Sequence, residues 1–245
     1  MRGLFVTGTD TGVGKTVVAA AICAALAARG ERVAAYKPVV TGTDDEPGDW
    51  PPDHELLAAA ANVGQTAANV TPLTFGPPLS PHYAAELADT AIDASRLRTA
   101  ALHAAETAAG GGSPSSDSQA DGTSSPRRAP PTLICEGVGG LLVPLTPTYS
   151  VRDLAVDLAL PLVVVARTGL GTINHTLLTV EAARSAGLNV TGIVMTPWPD
   201  DPEPIELSNR ATVERLSGIA VSGLPPATPG TLAVAGAALP LDDWL

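Results

Sequence analysis

A glycine-bearing turn that ends in Gly-Lys-Thr is a means of gripping a row of phosphates. Residues 8–16 of this 245-residue sequence read Gly8-Thr9-Asp10-Thr11-Gly12-Val13-Gly14-Lys15-Thr16. In such a turn the backbone N–H groups of Gly12, Val13 and Gly14 face the phosphate oxygens, aided by the unpaired N–H groups of a following helix. Lys15 reaches the terminal phosphates, and the Thr16 hydroxyl takes a place on Mg²⁺. The common pattern sets four residues between its first glycine and Gly-Lys; that place is Thr9 here, and Gly8 lies one residue earlier.

Three further groups could share in that chemistry. Lys37, in Tyr36-Lys37-Pro38-Val39-Val40-Thr41-Gly42, is a second cation. Taken alone it reads as a lysine snorkelling from a strand end. Beside a phosphate loop it becomes a means of placing positive charge on both sides of a transferring phosphoryl group. Asp53 reads either as a helix N-cap or as a carboxylate free to hold Mg²⁺, with Asp49 its nearest rival in the same acidic loop. Glu136, in Leu133-Ile134-Cys135-Glu136-Gly137-Val138-Gly139-Gly140, ends an apolar run, where a phosphate-transfer enzyme holds its metal. The segment from Arg167 to His175 repeats a strand–loop–helix pattern that could seat a carboxylate on helix N–H groups. His175 itself reads as a capping or interface residue, because no carboxylate or nucleophile accompanies it at suggestive spacing.

The elements that must position these residues alternate. Apolar β-type runs fall at 4–7, 33–36, 133–135, 162–166 and 190–195, with a weaker one at 219–222. Helical patterns fall at 15–28, 54–61, 95–108, 151–158, 172–185 and 204–216. Such alternation predicts an α/β fold with a mostly parallel sheet flanked by helices, its ligands at the carboxyl ends of the strands. Thr11, Lys37, Glu136 and Thr168 all fall at or just past such ends. A single domain over 1–245 is expected, interrupted at 110–131 by a Gly-, Ser- and Pro-rich segment too poor in apolar side chains to order itself.

Composition narrows the function further. Apolar residues make up 45% of the chain but aromatic ones only 3%, so the core is built from Ala, Val and Leu, as in parallel sheets covered on both faces. A net charge of −11 opposes binding to nucleic acid or to an anionic membrane. No apolar run approaches the ~20 residues of a membrane span, and no secretory signal is evident at the start. Cys23 and Cys135 read as reduced core residues. A cytoplasmic protein is expected.

At this point the sequence resembles the dethiobiotin synthetase family. The matching pieces are Gly8 to Thr16, Tyr36 to Gly42, Glu136-Gly137-Val138-Gly139-Gly140-Leu141-Leu142-Val143-Pro144-Leu145, and Gly169-Leu170-Gly171-Thr172-Ile173-Asn174-His175-Thr176-Leu177-Leu178-Thr179, with Ser80-Pro81-His82 a smaller one. The likeness spans nearly the whole chain apart from the 110–131 segment. It implies a P-loop NTPase-like three-layer sandwich and ATP-dependent closure of a ureido ring on 7,8-diaminononanoate with CO₂, through a carbamate and a carbamic–phosphoric anhydride.

By the same resemblance, Lys37 and Lys15 stabilise the carbamate and the transferred phosphoryl charge. Thr11 and Thr41 hydrogen-bond the carbamate and phosphate oxygens, with Gly139 beside the substrate. Thr16, Asp53 and Glu136 hold Mg²⁺. The loop of Gly171, Thr172 and Asn174 binds the substrate carboxylate across a homodimer interface. Family members often carry an asparagine toward the adenine edge after the 190–195 strand. Thr196 stands there, with one hydroxyl where an amide would both donate and accept. Two other readings of the phosphate loop compete. A corrinoid amidoligase would need a glutaminase domain for which the chain is too short. A partition-type switch ATPase would leave Lys37-Pro38 and Glu136 to Gly140 without a role.

Overall fold

Successive residues of a strand face opposite sides of its sheet, and in β1 (Gly3–Gly8) both sides are apolar. Leu4 and Val6 enter one cluster of buried side chains and Phe5 the other. A strand patterned this way belongs at the centre of a sheet covered on both faces. The computed structural model describes residues 1–46, 48–107 and 131–245. After β1 come α1 (Lys15–Ala28), β2 (Val33–Tyr36), β3 (Val39–Thr41), α2 (Asp53–Ala60), α3 (Ala67–Val70), β4 (Leu73–Phe75), α4 (Pro81–Leu87) and α5 (Ala94–Thr107). There follow β5 (Thr132–Gly140), β6 (Pro144–Thr146), β7 (Tyr149–Ser150), α6 (Val151–Leu158), β8 (Leu162–Ala166) and α7 (Thr172–Ser185). The chain closes with β9 (Val190–Met195), α8 (Pro204–Ser217), β10 (Val221–Gly223), α9 (Leu232–Gly236) and α10 (Leu241–Trp244).

Six of these strands form one parallel sheet in the order β10-β9-β8-β1-β5-β2. One face is covered by α1, α2, α9 and α10 through Val18, Ile22, Leu26, Leu57, Leu232 and Trp244. The other is covered by α5, α6, α7 and α8 through Leu97, Leu154, Val180 and Val213. This is a three-layer sandwich, and β1 lies between β8 and β5, so the turn after β1 opens beside the ends of both. Among the described residues, no helix is long and apolar enough to cross a membrane. Cys23 and Cys135 are buried and unbridged.

The expected strands and helices are present, with three departures that matter for the site. Glu136 is not at the end of its strand: β5 runs on through Gly140, well past the apolar run at 133–135. The added length pairs Gly140 with Gly8 after a register shift between Val6 and Gly8, so the glycines let two backbones run side by side at the sheet's edge of chemistry. Asp53 is not an N-cap, because Pro52 holds that position and Asp53 opens α2 with its carboxylate turned elsewhere. The short strands β3 and β4 pair with each other outside the main sheet, a long-range contact that no local pattern announces. Residues 110–130 of the expected insertion, and residue 108 of the expected helix before it, lie outside the described residues.

Candidate active site

The phosphate loop is built by close approach. A Cβ on Gly8 would stand 2.8 Å from Val13 Cγ2 and 2.9 Å from Lys15 Cδ, so Gly8 is the floor over which Lys15 folds. That packing accounts for a glycine one residue ahead of its usual place. Gly14 caps α1 at φ +89°, in the left-handed region that favours glycine, and a Cβ there would stand 2.7 Å from Thr196 Cγ2. Lys15 Nζ donates to the Asp10 carbonyl at 2.8 Å, drawing its own loop closed.

Across the sheet, Tyr36 of β2 pairs with Cys135 of β5. Lys37 follows directly after β2 and Glu136 is the next residue of β5, which sets their side chains together. Lys37 Nζ lies 2.7 Å from Glu136 Oε1 and 2.5 Å from Asp53 Oδ2. Thr16 donates its hydroxyl to the same Glu136 oxygen at 2.9 Å and accepts a longer contact from Lys37 at 3.5 Å. Lys15, Lys37 and Glu136 are all buried, Glu136 completely. Glu136 Oε2 has no hydrogen-bond partner among the described residues.

Charges this close in a buried site shape one another. Burial pulls the Lys15 ammonium down to about 8, with Lys37 adding to the effect and Glu136 opposing it. Burial also acts to lower Lys37, but Glu136 and Asp53 outweigh it and hold that ammonium above its ordinary value. Burial pushes the Glu136 carboxyl up against the pull of Lys37. Burial acts in the same sense on Asp53, yet Lys37 brings it below the usual carboxylate range.

These side chains line one cavity of about 660 Å³ together with Thr11, Gly12, Gly14, Thr41 and Gly139. A second cavity, of about 530 Å³, lies on the other side of the phosphate loop and includes Val13, Thr196, Arg167, Pro225 and Pro226. The two share Gly12, Gly14, Val17 and Trp50. A ligand with a phosphate tail could therefore cross from one to the other along the loop. Asp49 lines neither cavity, so of the two rival carboxylates Asp53 is the one that joins Glu136. Gly171, Thr172 and Asn174 are not among the lining residues of either. Thr172 is buried at the start of α7, whereas Gly171 and Asn174 face outward.

Sequence reasoning gave no separate role to Arg167 or Trp50. Arg167 leaves the end of β8 and donates to the Thr11 carbonyl at 3.0 Å, pinning the phosphate loop from outside. An arginine just past the strand beside β1 was the available signal. Trp50 carries no such signal, since a long loop decides where it lands.

Glu136, Asp53 and Thr16 present hard oxygen donors of the kind Mg²⁺ takes, and the orphaned Oε2 of Glu136 is an acceptor awaiting a partner. With two carboxylates and a hydroxyl, such an ion would complete its shell with water or phosphate oxygens.

Known proteins resemble this chain in sequence and in fold. A sequence profile described as an AAA domain matches residues 2–231. The ATP-dependent dethiobiotin synthetase BioD of Anaeromyxobacter dehalogenans strain 2CP-1 is 42% identical over 217 residues, covering 89% of this chain and 86% of its own. That of Bacillus subtilis strain 168 is 34% identical over 226 residues, covering 92% and 87%. Among solved structures, a ParA family ATPase from Chlorobium tepidum TLS covers 98% of this chain and 93% of its own with a TM-score of 0.51 and 11% identity, a likeness of fold alone.

Proposed function

The chain belongs to the ATP-dependent dethiobiotin synthetase family, and from that premise we propose that it closes the ureido ring of dethiobiotin from 7,8-diaminononanoate, CO₂ and ATP by way of a carbamate. It is an ATP-dependent ligase of the P-loop class. The observation that carries the mechanistic reading is the convergence of Lys15, Lys37, Thr16, Asp53 and Glu136 on one cavity behind the phosphate loop.

One amine nitrogen of the diamine bonds to the carbon of CO₂ and loses a proton, giving a carbamate anion. A carbamate oxygen then attacks the γ-phosphorus of ATP, and the bond to the ADP oxygen breaks. The second amine attacks the carbamoyl carbon of the resulting anhydride, loses a proton and expels phosphate, which closes the ring. Two anions must meet in the middle step, and in a site shielded from water a fixed positive charge is worth far more than in bulk. Lys37 and Lys15 supply that charge from either side. Thr11 and Thr41 offer hydroxyls to the carbamate and phosphate oxygens. Thr16, Asp53 and Glu136 would hold Mg²⁺, which neutralises phosphate charge when bound.

Exposed leucines support a homodimer. Leu170 is 93% exposed next to Gly171, and Leu142 and Leu178 are exposed along a cleft with Pro144. A second copy covering them would bring Gly171, Thr172 and Asn174 toward a neighbouring cavity, where the helix N-terminus suits the substrate carboxylate. A reducing, cytoplasmic setting fits the two unbridged cysteines.

The direct assay is phosphate release from ATP with diamine and bicarbonate supplied together or one at a time. Turnover should rise at least tenfold only when both are present. Equal hydrolysis without either would refute the reading.

Two details of nucleotide binding can be checked separately. Because burial brings the Lys15 ammonium down to about 8, and bound phosphates favour its charged form, ADP binding should take up about three-quarters of a proton through Lys15 at pH 8.5 and almost none through it at pH 6.5. Calorimetry in buffers of different ionisation enthalpy measures this, and Lys15→Gln should abolish the uptake. At the base, Thr196 offers one hydroxyl, and Pro197, Pro225 and Pro226 lack the backbone N–H that could read an edge. CTP or GTP should therefore support turnover within roughly tenfold of ATP, about 1.4 kcal/mol, and Thr196→Asn should sharpen the choice. A wild-type preference for ATP above about a hundredfold would contradict this and move base readout to the 223–230 loop.

A further inference from the structure

Each of the three side chains assigned above to a metal already has an oxygen engaged by a cation, the ammonium of Lys37. Nζ reaches Asp53 Oδ2 at 2.5 Å, Glu136 Oε1 at 2.7 Å and Thr16 Oγ1 at 3.5 Å. The backbone of Lys37 is fixed at its base by a 3.0 Å hydrogen bond to the Val70 carbonyl, so any change of partner must come from the side chain. Glu136 Oε2, fully buried and without a hydrogen-bond partner among the described residues, remains open beside the set.

We propose that Lys37 is the resident counter-cation of the metal site, and that a divalent ion arriving with nucleotide takes Asp53, Glu136 and Thr16 from it and frees its ammonium for the reacting groups. The inference rests on the Mg²⁺ reading above and deepens it. An ammonium sits ~2.7–2.9 Å from carboxylate oxygens, whereas Mg²⁺ draws its ligands to ~2.0–2.1 Å. Asp53 Oδ2, Glu136 Oε1 and the Thr16 hydroxyl cannot each close on both, so an ion seated among them draws on the oxygens that hold Lys37. Two cations sharing those ligands would also repel each other strongly away from bulk water.

The arrangement gives Lys37 two successive tasks. Before the ion binds, it neutralises two carboxylates that would otherwise face each other, and it keeps them preorganised as ligands. Once displaced, it has the cavity that it lines into which to turn, toward the carbamate and the γ-phosphate. The charge that catalyses phosphoryl transfer is then released only when metal and nucleotide are in place.

The test uses the full-length, nucleotide-free protein and Mn²⁺ as probe, with free ion read by electron paramagnetic resonance. Lys37→Gln should bind Mn²⁺ at least tenfold more tightly than the wild type. Lys15→Gln removes a neighbouring charge that holds the Asp10 carbonyl and none of the three ligands, and it should tighten binding far less. Equal tightening in both variants would reduce the effect to general charge, and no tightening in Lys37→Gln would show that Lys37 and the ion do not compete; either overturns the proposal. A second measurement needs no variant. Acylation of Lys37 in the wild type, read by mass spectrometry, should rise several-fold with Mg²⁺ and ADP together and not with ADP alone. Unchanged reactivity also overturns it. Neither experiment involves the diamine, so diamine-dependent phosphate release can stand even if the exchange of cations fails.

Discussion

Lys37→Gln is expected to lose turnover by roughly a hundredfold to a thousandfold, about 3–4 kcal/mol of transition-state stabilisation, the usual consequence of deleting one preorganised charge-stabilising group. The loss should appear in kcat. Nucleotide affinity should hold, because Gly12 to Thr16 are untouched and Lys15 remains on the phosphates. Steady-state kinetics beside calorimetric ADP binding separates the two effects. Near-normal turnover with normal binding would remove Lys37 from the mechanism and leave Lys15 as the charge that matters.

Glu136→Gln should harm both stability and catalysis. The carboxylate is completely buried and its Oε1 holds Lys37 and Thr16 at once. Removing one partner of a buried ion pair costs about 3–5 kcal/mol, and Asp53 remains on Lys37, so the low end, roughly 3 kcal/mol, is expected. In a chain of this length that is a fall in Tm of about 6–12 °C. Turnover should fall as well, and excess Mg²⁺ should restore it only in part because a ligand has been weakened. Thermal denaturation with and without Mg²⁺ tests this. A variant as stable as the wild type would mean that Glu136 adds nothing net to the fold.

The sequence made the phosphate loop legible because all its parts are local. Gly12, Gly14, Lys15 and Thr16 lie within one turn, and the strand and helix on either side are plain in the apolar pattern. Lys37, Asp53 and Glu136 could be picked out individually as charges near strand or helix ends, but their meeting could not. It depends on β5 lying between β1 and β2 and on Tyr36 pairing with Cys135, contacts that span about a hundred residues. The same distance hid the true extent of β5. Gly137 to Gly140 look like a turn when read alone, and they continue as a strand because Gly8 lies beside Gly140. Asp53 looked like a cap by its position, whereas Pro52 caps α2 and the carboxylate is drawn to Lys37. Arg167 and Trp50 were passed over for the same reason: what they touch, Thr11 and the rim of two cavities, is decided by how loops fold back over the sheet.

The central claim is that a carbamate oxygen, and not water, attacks the γ-phosphorus. It can be followed by isotope. With ATP, diamine and freshly mixed ¹⁸O-labelled CO₂ in ordinary water, each carbamate carries labelled oxygen, and closing the ring leaves one of those atoms on the departing phosphate. Mass spectrometry of the product should therefore show one ¹⁸O in the phosphate for each dethiobiotin formed. Phosphate that carries no label from CO₂, and that takes its new oxygen from solvent when the water is labelled instead, would show simple hydrolysis and contradict the account.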